Sequence, residues 1–389
     1  MTQRDEQSKL NVLFIVPTLR RAGAETQVID LVNGFDDARF SKTLLVFAEN
    51  VDQKDRLDER NIDFRHIQQK SKYDFSIIDE IAALIDEKSI DVIHCTLQIS
   101  LLIGWLAKRK SKRNPKIVVA IHTTLNVSMK AEAFDRLLYR WLITRCDRVI
   151  FVCKTQADHW GRKYRGLSDI STVVYNGIDT DQFSLEAVSG KGPEFRSSHD
   201  IPREATVVSC IAGFRKEKGH LDLLSAFADT GDNNYLVLAG EGPHRIEAEE
   251  YAASHDIQDR VIFLGNVADV RPVLAASDLT VLASTAVETF SIAMLESMSM
   301  EVPTLVTDIG GLAEAVVPGE TGDIVPPGRP DKLAAALRNL LSNRSGLRKM
   351  GARARQRVIT RFQKADMIEN TADVLLSVAG RGRKGREAA

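Results

Sequence analysis

Short, uniformly apolar runs alternate with longer stretches whose apolar residues recur every three or four positions. In the first half the apolar runs are 11-NVLFIVP-17, 43-TLLVFA-48, 90-IDVIHC-95, 117-IVVAIH-122, 148-RVIFVC-153 and 172-TVVYN-176. Runs of this length without polar alternation predict strands buried on both faces of a parallel sheet. The periodic stretches between them, such as 75-FSIIDEIAALIDEK-88 and 130-KAEAFDRLLYRWLITRC-146, predict covering helices. The rhythm breaks over residues 177–205, where Gly, Ser and Pro collect. It restarts with 206-TVVSCIAG-213, 234-NYLVLAG-240, 261-VIFLG-265, 279-LTVLAS-284 and 303-PTLVTD-308, and ends on one long helical pattern over 346–379. The prediction is α/β, with two doubly wound Rossmann-like domains.

In such sheets ligands bind beyond the carboxyl ends of the strands. That rule singles out Gly23, His122, Arg215, Glu241 and Glu288, each in a loop that follows an apolar run. A length of 389 residues agrees with two cores rather than one.

Charge changes the picture only locally. Lys and Arg total 52 against 53 Asp and Glu, a balance that gives no reason to expect a nucleic-acid partner. The stretch 108-KRKSKRNPK-116, however, holds six basic residues and no acid, which raises the prospect of peripheral contact with an anionic membrane. The segment 124–148, with Trp141, Tyr139 and interleaved arginines, reads either as a packing helix or as an interfacial one. Cys95, Cys146, Cys153 and Cys210 are scattered without CxxC spacing and are expected to be reduced, buried thiols. A polar start and the lack of any apolar run near 18 residues point to a cytoplasmic chain, with the inner face of the membrane as a working place. The tail 381–389 is expected to be disordered.

Three stretches carry candidate chemistry. The turn 18-TLRRAGAETQVIDLV-32 opens a helix straight after a strand, a geometry that offers backbone N–H groups to an anion. It is neither a Gly-x-Gly-x-x-Gly fingerprint nor a P-loop. In 210-CIAGFRKEKGHLDLL-224, Arg215, Lys216 and Lys218 crowd a helix start, where positive charge opposes the helix dipole unless an anion is supplied. Arg215 and Lys218 suit a diphosphate clamp. In 288-ETFSIAMLE-296 two carboxylates bracket an apolar helix expected to begin near Thr289. Glu288 there is suited to sugar hydroxyls and Glu296 to the vicinal hydroxyls of a ribose. The Asp179-Thr180-Asp181 pair looks like a metal motif but reads better as a capped turn, and the eight histidines show no metal-ligand spacing. No metal or other cofactor is expected.

Taken together, 22-AGAE-25, His122, 176-NGID-179, 213-GFRKEKG-219, 239-AGEGP-243, 262-IFLGNV-267, Glu288 with Glu296 and 310-GGLAEAV-316 resemble the retaining family 4, or group 1, glycosyltransferases of GT-B fold. The resemblance spans essentially the whole chain. It implies an acceptor domain over 1–176, a nucleotide-sugar donor domain over 177–359 facing it across a cleft, and residues 360–380 packing back onto the first. It also implies roles. His122, Arg215, Lys218 and Glu288 would serve catalysis. Gly23, Gly213, Glu241, Asn266, Val267, Thr289, Phe290, Ser291, Ile292 and Glu296 would bind the donor, with Asn266 and Val267 cradling the base. Backbone contact of that kind keeps UDP and GDP both open.

Three positions depart from the family pattern: Ala22 replaces a glycine, Phe214 stands where arginine is common, and Ser291 where glycine is frequent. The implied reaction moves a hexose from a nucleoside diphosphate to a hydroxyl of a glycan or lipid-linked acceptor, with retention and without metal. Competing readings are a catalytically idle nucleotide-sugar-binding or scaffold protein of the same fold, or a nucleotide-sugar epimerase.

Overall fold

A computed structural model describes residues 9–70, 74–122 and 138–381. The chain divides into two compact units, one of Met1–Asn176 with Ala365–Ala389, the other Gly177–Lys364. Among the described residues, the first unit holds seven strands, β1 (Leu10–Val16), β2 (Phe40–Val46), β3 (Ile62–His66), β4 (Val92–Thr96), β5 (Lys116–Ile121), β6 (Arg148–Phe151) and β7 (Ser171–Val173), in the order β3-β2-β1-β4-β5-β6-β7. The second holds β8 (Thr206–Ile211), β9 (Asn234–Ala239), β10 (Val261–Gly265), β11 (Leu279–Leu282), β12 (Thr304–Thr307) and β13 (Gly322–Val325), in the order β10-β9-β8-β11-β12-β13. Every strand pairing is parallel. Both sheets therefore reverse their winding once, between β1 and β4 in the first and between β8 and β11 in the second.

Alternate residues of β1 serve two cores. Leu13 and Ile15 pack with the helices Ile77–Glu87 and Gln98–Lys110. Val12, Phe14 and Val16 pack with the helix Gly23–Gly34 and with Met367, Ala372 and Leu375 of the last helix, Lys364–Val378. The second sheet is covered likewise, Val208 and Cys210 facing one cluster and Val207 and Val237 the other.

The structure differs from the sequence expectation in three places. β3 and β13 are strands where none was expected; each lies at a sheet edge and is half-exposed, so its run is too polar to stand out. The long C-terminal pattern is two helices, Arg344–Arg361 and Lys364–Val378. Between them, Ile178 donates to the Phe362 carbonyl and accepts from the Lys364 amide, at 2.9 Å each. That clasp takes up backbone groups a continuous helix would use itself. A Cβ on Gly177 would collide with the Gln363 carbonyl, which explains the glycine of 176-NGID-179. In the 130–146 region, residues 123–137 lie outside the described residues, and a short helix covers Arg140–Ile143. The tail expectation over 381–389 also lies outside them beyond Arg381.

Candidate active site

The reversal between β8 and β11 brings together the loops that follow those strands. Residues 213–219 leave β8 through a tight turn in which the Arg215 amide donates to the Gly213 carbonyl (2.8 Å) and the Lys218 amide to the Arg215 carbonyl (2.9 Å). Gly219 ends the turn at φ +68°, against the Ala283 carbonyl at the exit of β11. The Thr285 amide donates to the Glu217 carbonyl at 2.8 Å and fastens one loop to the other.

Across this junction the Lys218 ammonium lies 2.6 Å from Glu288 Oε2, with side-chain exposures of 14% and 13%. Ser284 Oγ donates to the same oxygen at 3.1 Å. Lys218 and Glu288, singled out from sequence for separate tasks, are thus in direct contact. Arg215 is placed otherwise: its guanidinium pairs with Glu217 (3.2 Å) and its side chain is 58% exposed.

The helix after β11 spans Ile292–Ser299, so it begins three residues later than expected. Glu288, Thr289 and Phe290 belong to the approach. Ser291 is the cap, its hydroxyl accepting from the Met294 amide at 3.3 Å. The hydroxyl of this family departure is therefore turned to the helix. The amides of Ile292 and Ala293 precede the first helical bond, Leu295 to Ser291, and form the positive end of the helix. Glu296 is the fifth helical residue, about 7.5 Å along the axis from the cap rather than two full turns. The Phe290 ring is buried against Phe362, centroids 5.3 Å apart, which pins the approach. Behind it, Gly310 takes φ +57° beside the Glu288 carbonyl, and the Gly311 amide donates to the Thr289 carbonyl at 2.6 Å. The 310-GGLAEAV-316 motif is thus backing for Glu288 and Thr289.

Glu241 follows β9. Its carbonyl accepts from the Phe214 amide (2.9 Å), while its carboxylate pairs with Arg245, which also binds Glu249 at 2.7 Å. Gly265, the last residue of β10, accepts from the Gly240 amide at 2.8 Å; beyond it Asn266 is exposed and Val267 half-buried. Sequence reasoning missed two neighbours. Ser284 braces Glu288, and its signal was only a hydroxyl at a strand exit. His220 stacks on Phe214 at 4.2 Å and 18°, and burial lowers its pKa to about 4.

In the first unit, Gly23 opens the helix Gly23–Gly34, with Ala22 extended as a cap that offers no side chain. Glu25, 2% exposed, accepts from Thr18 Oγ1 (2.8 Å) and Arg20 Nε (3.1 Å) and so shapes the loop that leaves β1. The acid of 22-AGAE-25 is a positioning residue that sequence reasoning did not single out. His122 follows β5 and is half-buried; desolvation lowers its pKa to about 4, so it is neutral at neutral pH. His94 in neighbouring β4 is lowered further, to about 3, by burial first and by His122 second.

Asp179 accepts from the amides of Asp181 (3.2 Å) and Gln182 (2.9 Å) and from Lys364 Nζ (2.7 Å), as a capped turn should. Among the described residues no group of three or more His, Cys, Asp or Glu is placed to hold a metal ion.

Comparison with known proteins matches residues 21–182 to Glycosyltransferase Family 4 and residues 192–357 to Glycosyl transferases group 1. The chain is 28% identical over 317 residues to N-acetyl-alpha-D-glucosaminyl L-malate synthase of Bacillus anthracis, covering 81% of this chain and 82% of that one. Its fold is similar to Anabaena Alr3699/HepE in complex with UDP-glucose (TM-score 0.83, 22% identity, 95% and 100% of the two chains). A glycosyltransferase from Rickettsia africae is similar at TM-score 0.82 and 20% identity, over 95% of this chain and 98% of that one.

Proposed function

The chain belongs to the group 1, family 4 glycosyltransferases, with the two Rossmann-like domains of the GT-B fold, and from that premise we propose a specific reaction. It transfers a hexose, with retention, from a nucleoside-diphosphate sugar to a hydroxyl of a glycan or lipid-linked acceptor. Its setting is cell-surface polysaccharide or glycolipid synthesis on the inner face of the cell membrane. The observation that carries the reading is the Lys218–Glu288 pair, largely out of water at the β8/β11 reversal and beside the start of a capped helix. The complex of Anabaena Alr3699/HepE with UDP-glucose supports a nucleotide sugar as donor.

In the free chain Lys218 neutralises Glu288. An arriving diphosphate competes for the ammonium, and Glu288 Oε2, once released by Lys218, becomes an acceptor for sugar hydroxyls. Lys218, Arg215 and the Ile292 and Ala293 amides then stabilise charge on the departing diphosphate, an electrostatic role that these groups fill without a metal. The acceptor oxygen bonds to the anomeric carbon on the face the diphosphate leaves, and its proton passes to the departing phosphate oxygen. Asn266 and Val267 border the base, and Glu296 holds the ribose.

Two measurements test this. A thermal-shift screen of nucleoside diphosphates and their sugars identifies the donor, since a ligand that binds only the folded chain stabilises it by mass action. With that donor, Lys218→Ala and Glu288→Gln fold and lose turnover by about 100-fold, the scale of one lost charge-stabilising contact. Near-normal turnover in both defeats the assignment, and product formed without an acceptor favours an epimerase.

A further inference from the structure

We propose that the outward face of the helix Gln98–Lys110, together with Trp141 and Arg145, is a docking surface for an anionic bilayer. This rests on the membrane-side acceptor above and names where the chain meets the lipid. The helix carries no charge over residues 98–107, and apart from Gln98 and Ser100 that stretch is apolar on its inner and its outer side. Its inner side, Leu101, Ile103, Gly104 and Ala107, is buried against the first sheet. Its outer side is apolar too: Ile99 is 40% exposed, and Leu102, Trp105 and Leu106 are only partly covered. A surface helix with water as its only neighbour would carry polar residues there.

Trp105 meets Trp141 edge-on, centroids 4.7 Å apart, and Trp141 is 38% exposed. The Arg109 guanidinium lies 4.9 Å from the Trp105 centroid and that of Arg145 4.5 Å from Trp141. Each pair therefore presents an amphipathic ring with a cation beside it, the composition of the layer between hydrocarbon and headgroups. Charge selects the occupant. Lys110 and Lys116 are balanced by Asp79 and Asp147, but among the described residues Lys108, Arg109, Arg140 and Arg145 have no carboxylate partner. Four uncompensated cations around two tryptophans fit anionic lipid, whereas a second copy of the chain would bring the same charges against each other. Among the described residues no helix is long and apolar enough to cross a membrane, so the contact is peripheral.

The test is flotation of the full chain with phosphatidylcholine vesicles, with and without phosphatidylglycerol, while tryptophan emission is followed. Trp160, the third tryptophan of the chain, is 2% exposed and supplies a constant background. Binding only to the anionic vesicles, a blue-shifted emission and release by salt are expected. Arg109→Glu with Arg145→Glu should weaken binding by at least about 25-fold, near fivefold per charge. Trp141→Ala, an exposed single change, should weaken it as well. A nucleoside-diphosphate thermal shift, unchanged in all variants, certifies their folding and reads the donor assignment separately. Equal binding to neutral vesicles, binding that survives the double reversal, or a dimer that Trp141→Ala dissociates, each overturns the proposal.

Discussion

An ammonium 2.6 Å from a carboxylate, both largely out of water, is a pair whose loss is felt twice. Removing one partner strands the other, a cost of about 3–5 kcal/mol for full burial and less at the exposures seen here. A drop in turnover on Lys218→Ala has therefore to be read beside the variant's own stability. Burial acts on the histidines in the opposite sense, by keeping charge out. His94, His122 and His220 are held at about 3, 4 and 4, below the ordinary 6.5. Below pH 6.5 the unfolded chain gains protons that the folded chain refuses. The stability these three confer is complete above pH 6.5 and is lost as the pH falls, toward 4 for His122 and His220 and toward 3 for His94, by up to about 1.4 kcal/mol per pH unit for each. His220→Phe keeps the stack on Phe214 and removes one titrating ring. Its urea midpoint should fall less between pH 7 and pH 5 than that of the unaltered chain; equal falls would show that His220 is not held neutral by the fold.

At the scale of elements, the turn closed by Gly219 governs how the β8 and β11 loops meet. Gly219 (φ +68°) and Gly319 (φ +74°) share a left-handed backbone, but only at Gly219 would a Cβ strike a carbonyl, that of Ala283. Gly319→Ala should cost about 1–2 kcal/mol, the strain of the conformation alone, and leave donor affinity intact. Gly219→Ala should cost more and weaken nucleotide-sugar binding, as titration calorimetry on both variants will read; equal affinities would separate the turn from the site. This distinction was not legible in the sequence, where both are glycines in loops. The buried strands were, because burial on both faces writes itself as an unbroken apolar run. β3 and β13 were not, because Asp63, Arg65 and His66 interrupt one and Asp323 the other, so neither writes an unbroken apolar run. The late start of the helix after β11 was hidden for a related reason: Phe290 is apolar because it packs on Phe362, not because it is helical.

At the scale of the molecule, each unit repeats one plan: a parallel sheet, one reversal of winding, and candidate residues on the loops beside it. Right-handed crossovers put helices on both faces of each sheet, and the crevice at each reversal follows from the strand order. The doubly wound plan could be foreseen from the rhythm of apolar runs, while the strand order and the pairing of Lys218 with Glu288 needed coordinates. Each unit also builds its own cores, so ligand effects can be assigned to one unit or the other by hydrogen exchange on the intact chain. If the diphosphate is held by the second unit, the matching nucleoside diphosphate should slow exchange at residues 213–219 and at the Ile292 and Ala293 amides. The strands β1, β4 and β5 should exchange as before. The two amides are the sharper probe, because they lie ahead of the first helical bond and exchange quickly until an anion accepts from them. Slowing confined to the Gly23–Gly34 helix start would move the phosphate site to the first unit and leave Lys218 and Glu288 as a structural pair.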